Sequence, residues 1–193
     1  MAETRRIGIF GGTFNPPHLG HIALAKAFLA QSGVDEVWLM VSPQNPFKAN
    51  QQLLDDRQRL DMLRLAVADA PRLVASDYEF HLPKPSYTYH TLTRLIAEHP
   101  NTSFSLLIGG DNWAAFSHWY RGEDILRLCP VYVYPRKGES IGSPLPTNVH
   151  LLDAPLFDIS STEIRQRAQA GEDITTLVSP TVADYIARHQ LYK

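Results

Sequence analysis

The sequence predicts an α/β protein with a doubly wound, mostly parallel sheet, helices on both faces and a small helical part at its C-terminal end. Three observations carry this. Short apolar runs alternate with longer segments of helical period, the pattern of βαβ units. The run Val37-Trp38-Leu39-Met40-Val41 is apolar throughout, as a strand covered on both faces must be. Two of the strand-like runs end in glycine pairs, Gly11-Gly12 and Gly109-Gly110, where a strand gives way to a turn.

Taken in order, Ile7–Phe10 is the first strand. A helix follows from about His18 to Ser32, with Leu19, Ile22, Ala23 and Leu29 on one side and Gly33 as its stop. Val37–Val41 is the second strand. A loop with Pro43 and Pro46 leads to a helix carrying Leu60, Leu63 and Val67 at spacings of three and four. Arg72–Ala75 is a weaker strand candidate, followed by a helix over about Tyr89 to His99. Phe104–Ile108, Val131–Tyr134 and Val149–Leu152 are the remaining strands. Ser160-Ser161-Thr162-Glu163 has the Ser-x-x-Glu form of a capping box, with Gly171 suited to the end of its helix. Ser179-Pro180 sets a cap residue before a first-turn proline, ahead of Val182, Tyr185 and Ile186. The Pro- and Gly-rich segment from Pro135 to Pro146 reads as a surface loop within one domain spanning residues 1–193.

The chain of 193 residues is 44% hydrophobic and 20% charged, an ordinary globular balance. Its 18 basic and 20 acidic residues give a net charge of -2, so no basic excess suggests a nucleic-acid partner, and any anion site must be built locally. The lone Cys129 excludes an internal disulfide and a multi-thiolate metal site. No run of about 18 apolar residues suggests a membrane span, and the apolar stretch before Gly11 is too short for a signal-peptide core. The expectation is a cytoplasmic protein.

Open α/β sheets bind ligands at the carboxyl ends of their strands, where helix N-termini offer free N–H groups. The first such junction is Gly11-Gly12-Thr13-Phe14-Asn15-Pro16-Pro17-His18-Leu19-Gly20-His21. Its glycines admit close approach of a ligand to the backbone, and Pro16-Pro17 stiffens the way into the helix. His18 and His21, three apart, share one face of the first turn. Gly20 between them is a poor helix residue, by up to ~1 kcal/mol, and leaves that face open. The loop lacks the Gly-Lys-Ser/Thr ending of a Walker A loop and the spacing of the dinucleotide fingerprint. On spacing alone it is an anion site, a tight turn with two partly exposed histidines, or a two-histidine metal site.

Gly11 to His21 resembles the nucleotide-binding loop of the nucleotidyltransferase α/β superfamily, whose hallmark is His-x-Gly-His. Phe157-Asp158-Ile159-Ser160-Ser161-Thr162-Glu163-Ile164-Arg165 is similar to its second motif, Ile-Ser-Ser-Thr-x-Ile-Arg. Between them, Ser42-Pro43-Gln44-Asn45-Pro46-Phe47-Lys48, Pro85-Ser86-Tyr87-Thr88-Tyr89-His90-Thr91-Leu92, and Ile108-Gly109-Gly110-Asp111 with His118-Trp119-Tyr120 resemble segments of the bacterial nicotinate-nucleotide adenylyltransferases. The resemblance covers nearly the whole chain and implies a Rossmann-like fold. It also implies transfer of AMP from ATP to nicotinate mononucleotide. His18, His21 and Arg165 would be catalytic. Gly11, Gly12, Thr13, Phe14, Asn15, Lys48, Gly109, Asp111, Ile159, Ser160, Ser161 and Thr162 would hold ATP. Trp119 would stack on the pyridine ring, with backbone amides near Thr88 and Tyr120 on its carboxylate. The hydroxyls of Ser160, Ser161 and Thr162 would complete a phosphate nest. Magnesium would travel with the ATP phosphates, without a named protein ligand.

Two positions depart from the family pattern: Asn15 stands where many members carry Asp, and Phe47 where many carry His. Duller roles stay open beside the functional ones. Trp119 could be core, Lys48 a solvated lysine, Asp111 a helix cap ahead of Trp113, and Arg165 a surface partner of Glu163 or Asp158. Competing functions are adenylyl transfer to nicotinamide mononucleotide or phosphopantetheine, and ATP sensing without turnover. An aminoacyl-tRNA synthetase shares the histidine motif, but the chain is too short for an added tRNA-binding domain.

Overall fold

The computed structural model describes residues 4–43, 53–135, 141–142, 144–155 and 157–193. Strand β1 (Arg5–Gly12) lies at the centre of a six-stranded sheet. The others are β2 (Glu36–Val41), β3 (Leu73–Ser76), β4 (Thr102–Gly109), β5 (Val131–Tyr134) and β6 (Val149–Leu151). The spatial order is β3-β2-β1-β4-β5-β6. Every pairing is parallel, with Ile9 opposite Trp38 on one side and Leu106 on the other. The expected doubly wound sheet is therefore present, and more uniform than expected. The chain winds outward from β1 in both directions, so β1 and β4 flank the topological switch point where such sheets bind ligands.

Side chains that alternate between two cores explain why β2 reads as an unbroken apolar run after Glu36. Phe10, Val37, Leu39, Val41 and Leu107 face one core, built with α1 (Leu19–Gln31) and α2 (Asp56–Val67). Ile7, Ile9, Met40, Leu106, Ile108, Val131 and Val133 face the other, with α3 (Thr88–Glu98) and α5 (Gly122–Leu128). A short helix, α4 (Gly110–Ala114), follows β4 directly. Helices α6 (Ser161–Ala170) and α7 (Pro180–Arg188) form the small C-terminal part, around Ile164, Val178, Val182 and Ile186 packed on Met62 of α2.

Three local expectations change. The buried face of α1 is Gly20, Leu24, Ala25 and Phe28, whereas Leu19 is exposed. The helix is apolar on nearly every side, so periodicity alone could not choose the face. The box at α6 closes only halfway: the Ser160 hydroxyl accepts from the Glu163 N–H, but the Glu163 carboxylate turns to Arg167 at 2.6 Å. Asp111 sits inside the first turn of α4, whose N-cap is Gly109, so it is not the cap. The start of α7 is as expected, with Ser179 capping the Val182 N–H and Pro180 in the first turn.

Candidate active site

Two cavities adjoin at the carboxyl ends of β1 and β4, and Phe10, Gly11, Gly12, Asn112 and Tyr134 line both. Their volumes, about 400 and 440 Å³, each suit a small ligand. The first is polar. It gathers Thr13, Phe14, His18 and His21 from the β1–α1 junction, Asp111 from α4, and Ile159 through Thr162 with Arg165 from the start of α6. The second is more apolar, with Tyr87, Thr88, His118, Trp119 and Tyr120 around Ser42, Glu79 and Ser86.

The histidines are arranged by the helix start itself. His18 is the N-cap of α1; its Nδ1 accepts the His21 N–H at 3.3 Å, while the Nδ1 of His21 accepts the His18 N–H at 3.1 Å. The result is a capping box made of two imidazoles, and the rings stack with centroids 3.6 Å apart. A nitrogen that accepts a backbone N–H carries no proton, so in both neutral rings the N–H resides on Nε2. Both rings line the polar cavity. Phe14, at φ 46 and buried, packs edge-on against His21 at 5.0 Å and fixes that ring from the side.

Arg165 reaches back from α6 to the same loop. Its Nη1 donates to the Asn15 carbonyl at 2.8 Å and its Nη2 to the Thr162 hydroxyl at 3.2 Å. Glu163 pairs with Arg167 instead. The three hydroxyls of the second motif serve the architecture as well as the cavity. Ser161 donates to the Pro16 carbonyl at 2.9 Å, whereas Ser160 and Thr162 accept, from the Glu163 N–H and from Arg165. Ser160 and Thr162 therefore keep an O–H to donate; the Ser161 proton is committed. The N-termini of α1 and α6 meet at this polar cavity. That of α3 meets the apolar one, where the N-cap Tyr87 makes no side-chain cap bond.

A family model described as cytidylyltransferase-like matches residues 9–167. A Bacteroides fragilis protein named "Probable nicotinate-nucleotide adenylyltransferase" is 50% identical over 183 residues, covering 94% of this chain and 90% of its own. One of the same name from Cytophaga hutchinsonii is 46% identical over 97% of this chain and 98% of its own. The chain belongs to the nicotinate-nucleotide adenylyltransferase family. The solved Plasmodium falciparum nicotinic acid mononucleotide adenylyltransferase complexed with NaAD, at 22% identity, shares the fold with a TM-score of 0.83 over 97% of each chain.

The residues that the family resemblance singles out fall into the two cavities as groups. His18, His21, Arg165, Thr13, Phe14, Asp111, Ile159, Ser160, Ser161 and Thr162 line the polar one; Thr88, Trp119, Tyr120 and Gly109 line the other; Gly11 and Gly12 line both. Lys48 and Phe47 lie outside the described residues. Asn15 is the exception: it lines neither cavity, is 2% exposed, and its side-chain carbonyl accepts from the Tyr192 hydroxyl at 2.8 Å. Here it ties the loop to the C-terminal segment, a role that needs no carboxylate. Trp119 is only partly buried, with its ring on Phe116 at 5.2 Å, so it is not wholly core.

Sequence reasoning missed several lining residues. Asn112 and Tyr134 lie where the cavities meet. Glu79 lines the apolar cavity, its oxygens accepting from Ser42 at 2.7 Å and Thr91 at 2.8 Å. Burial pushes its carboxyl above the usual range, and the two hydroxyl donors oppose the shift. Phe157 was quoted only as part of a motif, yet it lines the polar cavity beside Gly20.

Gly20 answers the question its poor helix propensity posed. A Cβ there would lie 3.0 Å from His18 Nδ1 and 3.3 Å from Phe157 Cβ, tight enough to push the His18 ring aside. Gly20→Ala should therefore separate two properties. The helix gains up to ~1 kcal/mol of intrinsic propensity, which offsets what the crowded His18 cap loses, so thermal stability changes little, while turnover falls by about tenfold or more, since small misplacements at reacting centres are costly. A melting curve beside a pyrophosphate-release assay checks both; unchanged turnover would show that the ring tolerates the displacement.

Proposed function

We propose that this enzyme transfers AMP from ATP to nicotinate mononucleotide, giving deamido-NAD and pyrophosphate, a step of NAD biosynthesis. The observation that carries this reading is the pair of adjoining cavities: one rich in anion donors, one aromatic, meeting at Phe10-Gly11-Gly12. In this reading the triphosphate lies against His18, His21 and Arg165, and the pyridine ring against Trp119. Its carboxylate lies at the uncapped start of α3, where helix N–H groups favour an anion.

The mononucleotide phosphate attacks the α-phosphorus of ATP in line; the new P–O bond joins the two nucleotides and the bond to pyrophosphate breaks. A phosphomonoester has its second pKa near ~6, so at neutral pH the nucleophile is already a dianion and needs no base. Asn15 in place of a carboxylate therefore costs the chemistry nothing. The barrier comes from bringing two anions together, and catalysis is positioning plus charge stabilisation. Two Nε2–H groups and a guanidinium, held by helix starts, supply donors aimed at charge that grows in the transition state.

Magnesium would accompany the phosphates and neutralise part of their charge. The described residues contain no group of three or more His, Cys, Asp or Glu side chains able to cage a metal ion. In the proposed reaction the ion would be carried mainly by phosphate and water. No helix among the described residues is long and apolar enough to cross a membrane.

The test is pyrophosphate release from ATP and magnesium, with nicotinate mononucleotide, nicotinamide mononucleotide and phosphopantetheine compared. The expected result is fast release with the nicotinate substrate and slow release with the others. Preference for another acceptor would keep the chemistry and overturn the assignment of the aromatic cavity. No release from folded protein that binds ATP would point to a sensor.

A further inference from the structure

Arg59 of α2 is fully buried, at 0% exposure, and its guanidinium works almost entirely on the backbone. Nη1 donates to the Thr13 carbonyl at 2.6 Å and to the Ser42 carbonyl at 3.0 Å, and Nε donates to the Leu54 carbonyl at 3.1 Å. Nη2 meets Asp56 at 2.5 Å, whose other oxygen takes Lys84 at 3.3 Å. Burying a guanidinium is expensive, and well-packed apolar side chains often do the packing better. Leu60, Met62 and Leu63 beside it already do that. What Arg59 adds is a grip on the chain as it leaves β1 and β2, one residue beyond each strand.

The grip on Thr13 has a consequence for the residue after it. The Thr13–Phe14 peptide is trans, since the only cis bonds among the described residues are Asn15–Pro16 and Lys84–Pro85. In a planar trans peptide the C=O and the following N–H point in opposite directions. With the Thr13 carbonyl drawn to Arg59, the Phe14 N–H is turned away from it; Thr13 and Phe14 both line the polar cavity. Phe14 is held at φ 46, an unusual conformation for a buried aromatic residue and one of the two that anion-binding nests combine. The neighbouring carbonyls are also committed, that of Asn15 to Arg165 and that of Pro16 to Ser161. Pro16 and Pro17 bring no N–H of their own.

We infer that Arg59 is a positioning residue for phosphate capture: by holding the Thr13 carbonyl it turns the Phe14 amide into the polar cavity, where that amide donates to a phosphate oxygen of ATP. The inference rests on the nucleotide-binding role proposed for that cavity, but not on the identity of the acceptor.

The test uses the whole enzyme, labelled with nitrogen-15, and α,β-methylene ATP, which cannot be turned over. In the unsubstituted protein the Phe14 amide proton should move downfield on adding the analogue, further than amides of α7. Arg59→Lys keeps the charge but carries three donors on one nitrogen, which cannot reach three carbonyls and the Asp56 carboxylate spread around a fork. It should raise KM for ATP about tenfold or more, the size expected for a lost bond to a charged group, with KM for the acceptor within about twofold. A merely structural role would lower Tm without that split. A Phe14 amide indifferent to bound analogue, or a folded Arg59→Lys enzyme with unchanged KM for ATP, overturns the inference; if that variant does not fold, the measurement on the unsubstituted protein decides alone. Turnover with a different acceptor, alongside a shifted Phe14 amide, would overturn the proposed substrate and leave this inference standing.

Discussion

His18→Asn is expected to leave the fold intact and to lower kcat by about a hundredfold or more. His18 does two jobs on opposite sides of one ring. Its Nδ1 caps α1 by accepting the His21 N–H, and in the proposed reaction its Nε2–H donates to the phosphates in the polar cavity that the residue lines. Asparagine is among the best N-cap residues, and its side-chain oxygen can take over the first job. It has nothing to offer in place of the second. Losing one preorganised donor to a developing negative charge costs about 10²–10³ in kcat. His18→Ala should lose as much activity and in addition about 1 kcal/mol of stability with the cap. Thermal melts and pyrophosphate release on both variants separate the roles. If His18→Asn keeps its melting temperature and loses less than about tenfold in kcat, the ring is a cap and no more.

The strands and the two histidine- and serine-bearing junctions were legible in the sequence because they obey local rules. A strand covered on both faces has no polar alternation to blur it, and Val37–Val41 and Phe104–Ile108 read without difficulty. A spacing of three is a pattern within one turn, which is why His18 and His21 could be placed on one face and Ser160 to Glu163 read as a capping box. What each side chain then does was less legible. The mutual Nδ1 contacts of the histidines and the turn of Glu163 to Arg167 depend on rotamers, not spacing. Helix α5 went unnoticed because at seven residues it is too short to show a period, and α4 was suggested only through Asp111 as its cap.

Arg59 and Glu79 were invisible for a different reason. The partners of Arg59 include backbone carbonyls of residues 13 and 42, and those of Glu79 are hydroxyls at 42 and 91. Glu79, satisfied by small hydroxyls, has no complementary charge to reveal it, and for Arg59 the nearby Asp56 suggests only an ordinary surface pair three residues apart. An arginine beside Leu60 and Leu63 reads as the solvated side of an amphipathic helix, yet α2 buries positions 59, 60, 62, 63 and 67, a wider stripe than one face. Asn15 was legible only as part of a ligand-binding motif; that its side chain bonds Tyr192, from the far end of the chain, no local pattern could show.

Arg165→Lys should lower kcat/KM for ATP by about a hundredfold while the melting temperature shifts by no more than a few degrees. The guanidinium is braced at two points, the Asn15 carbonyl and the Thr162 hydroxyl, and the rest of its five N–H donors are left for an anion in a fixed plane. Lysine conserves the charge but not the fork; its ammonium can stay with the Asn15 carbonyl or follow a phosphate, and does neither in a defined geometry. Both lost bonds are partly exposed, so their removal costs the fold little. If Arg165→Lys retains more than about a third of the activity, a point charge is enough and the brace to Asn15 is incidental. The double variant with His18→Asn carries the argument one step further. Groups that stabilise the same growing charge as a unit lose far less together than the product of their separate losses, whereas independent groups multiply. Multiplying effects would mean that Arg165 and His18 act independently of one another. A double loss close to the larger single one would place Arg165 and His18 on the same transferring phosphorus.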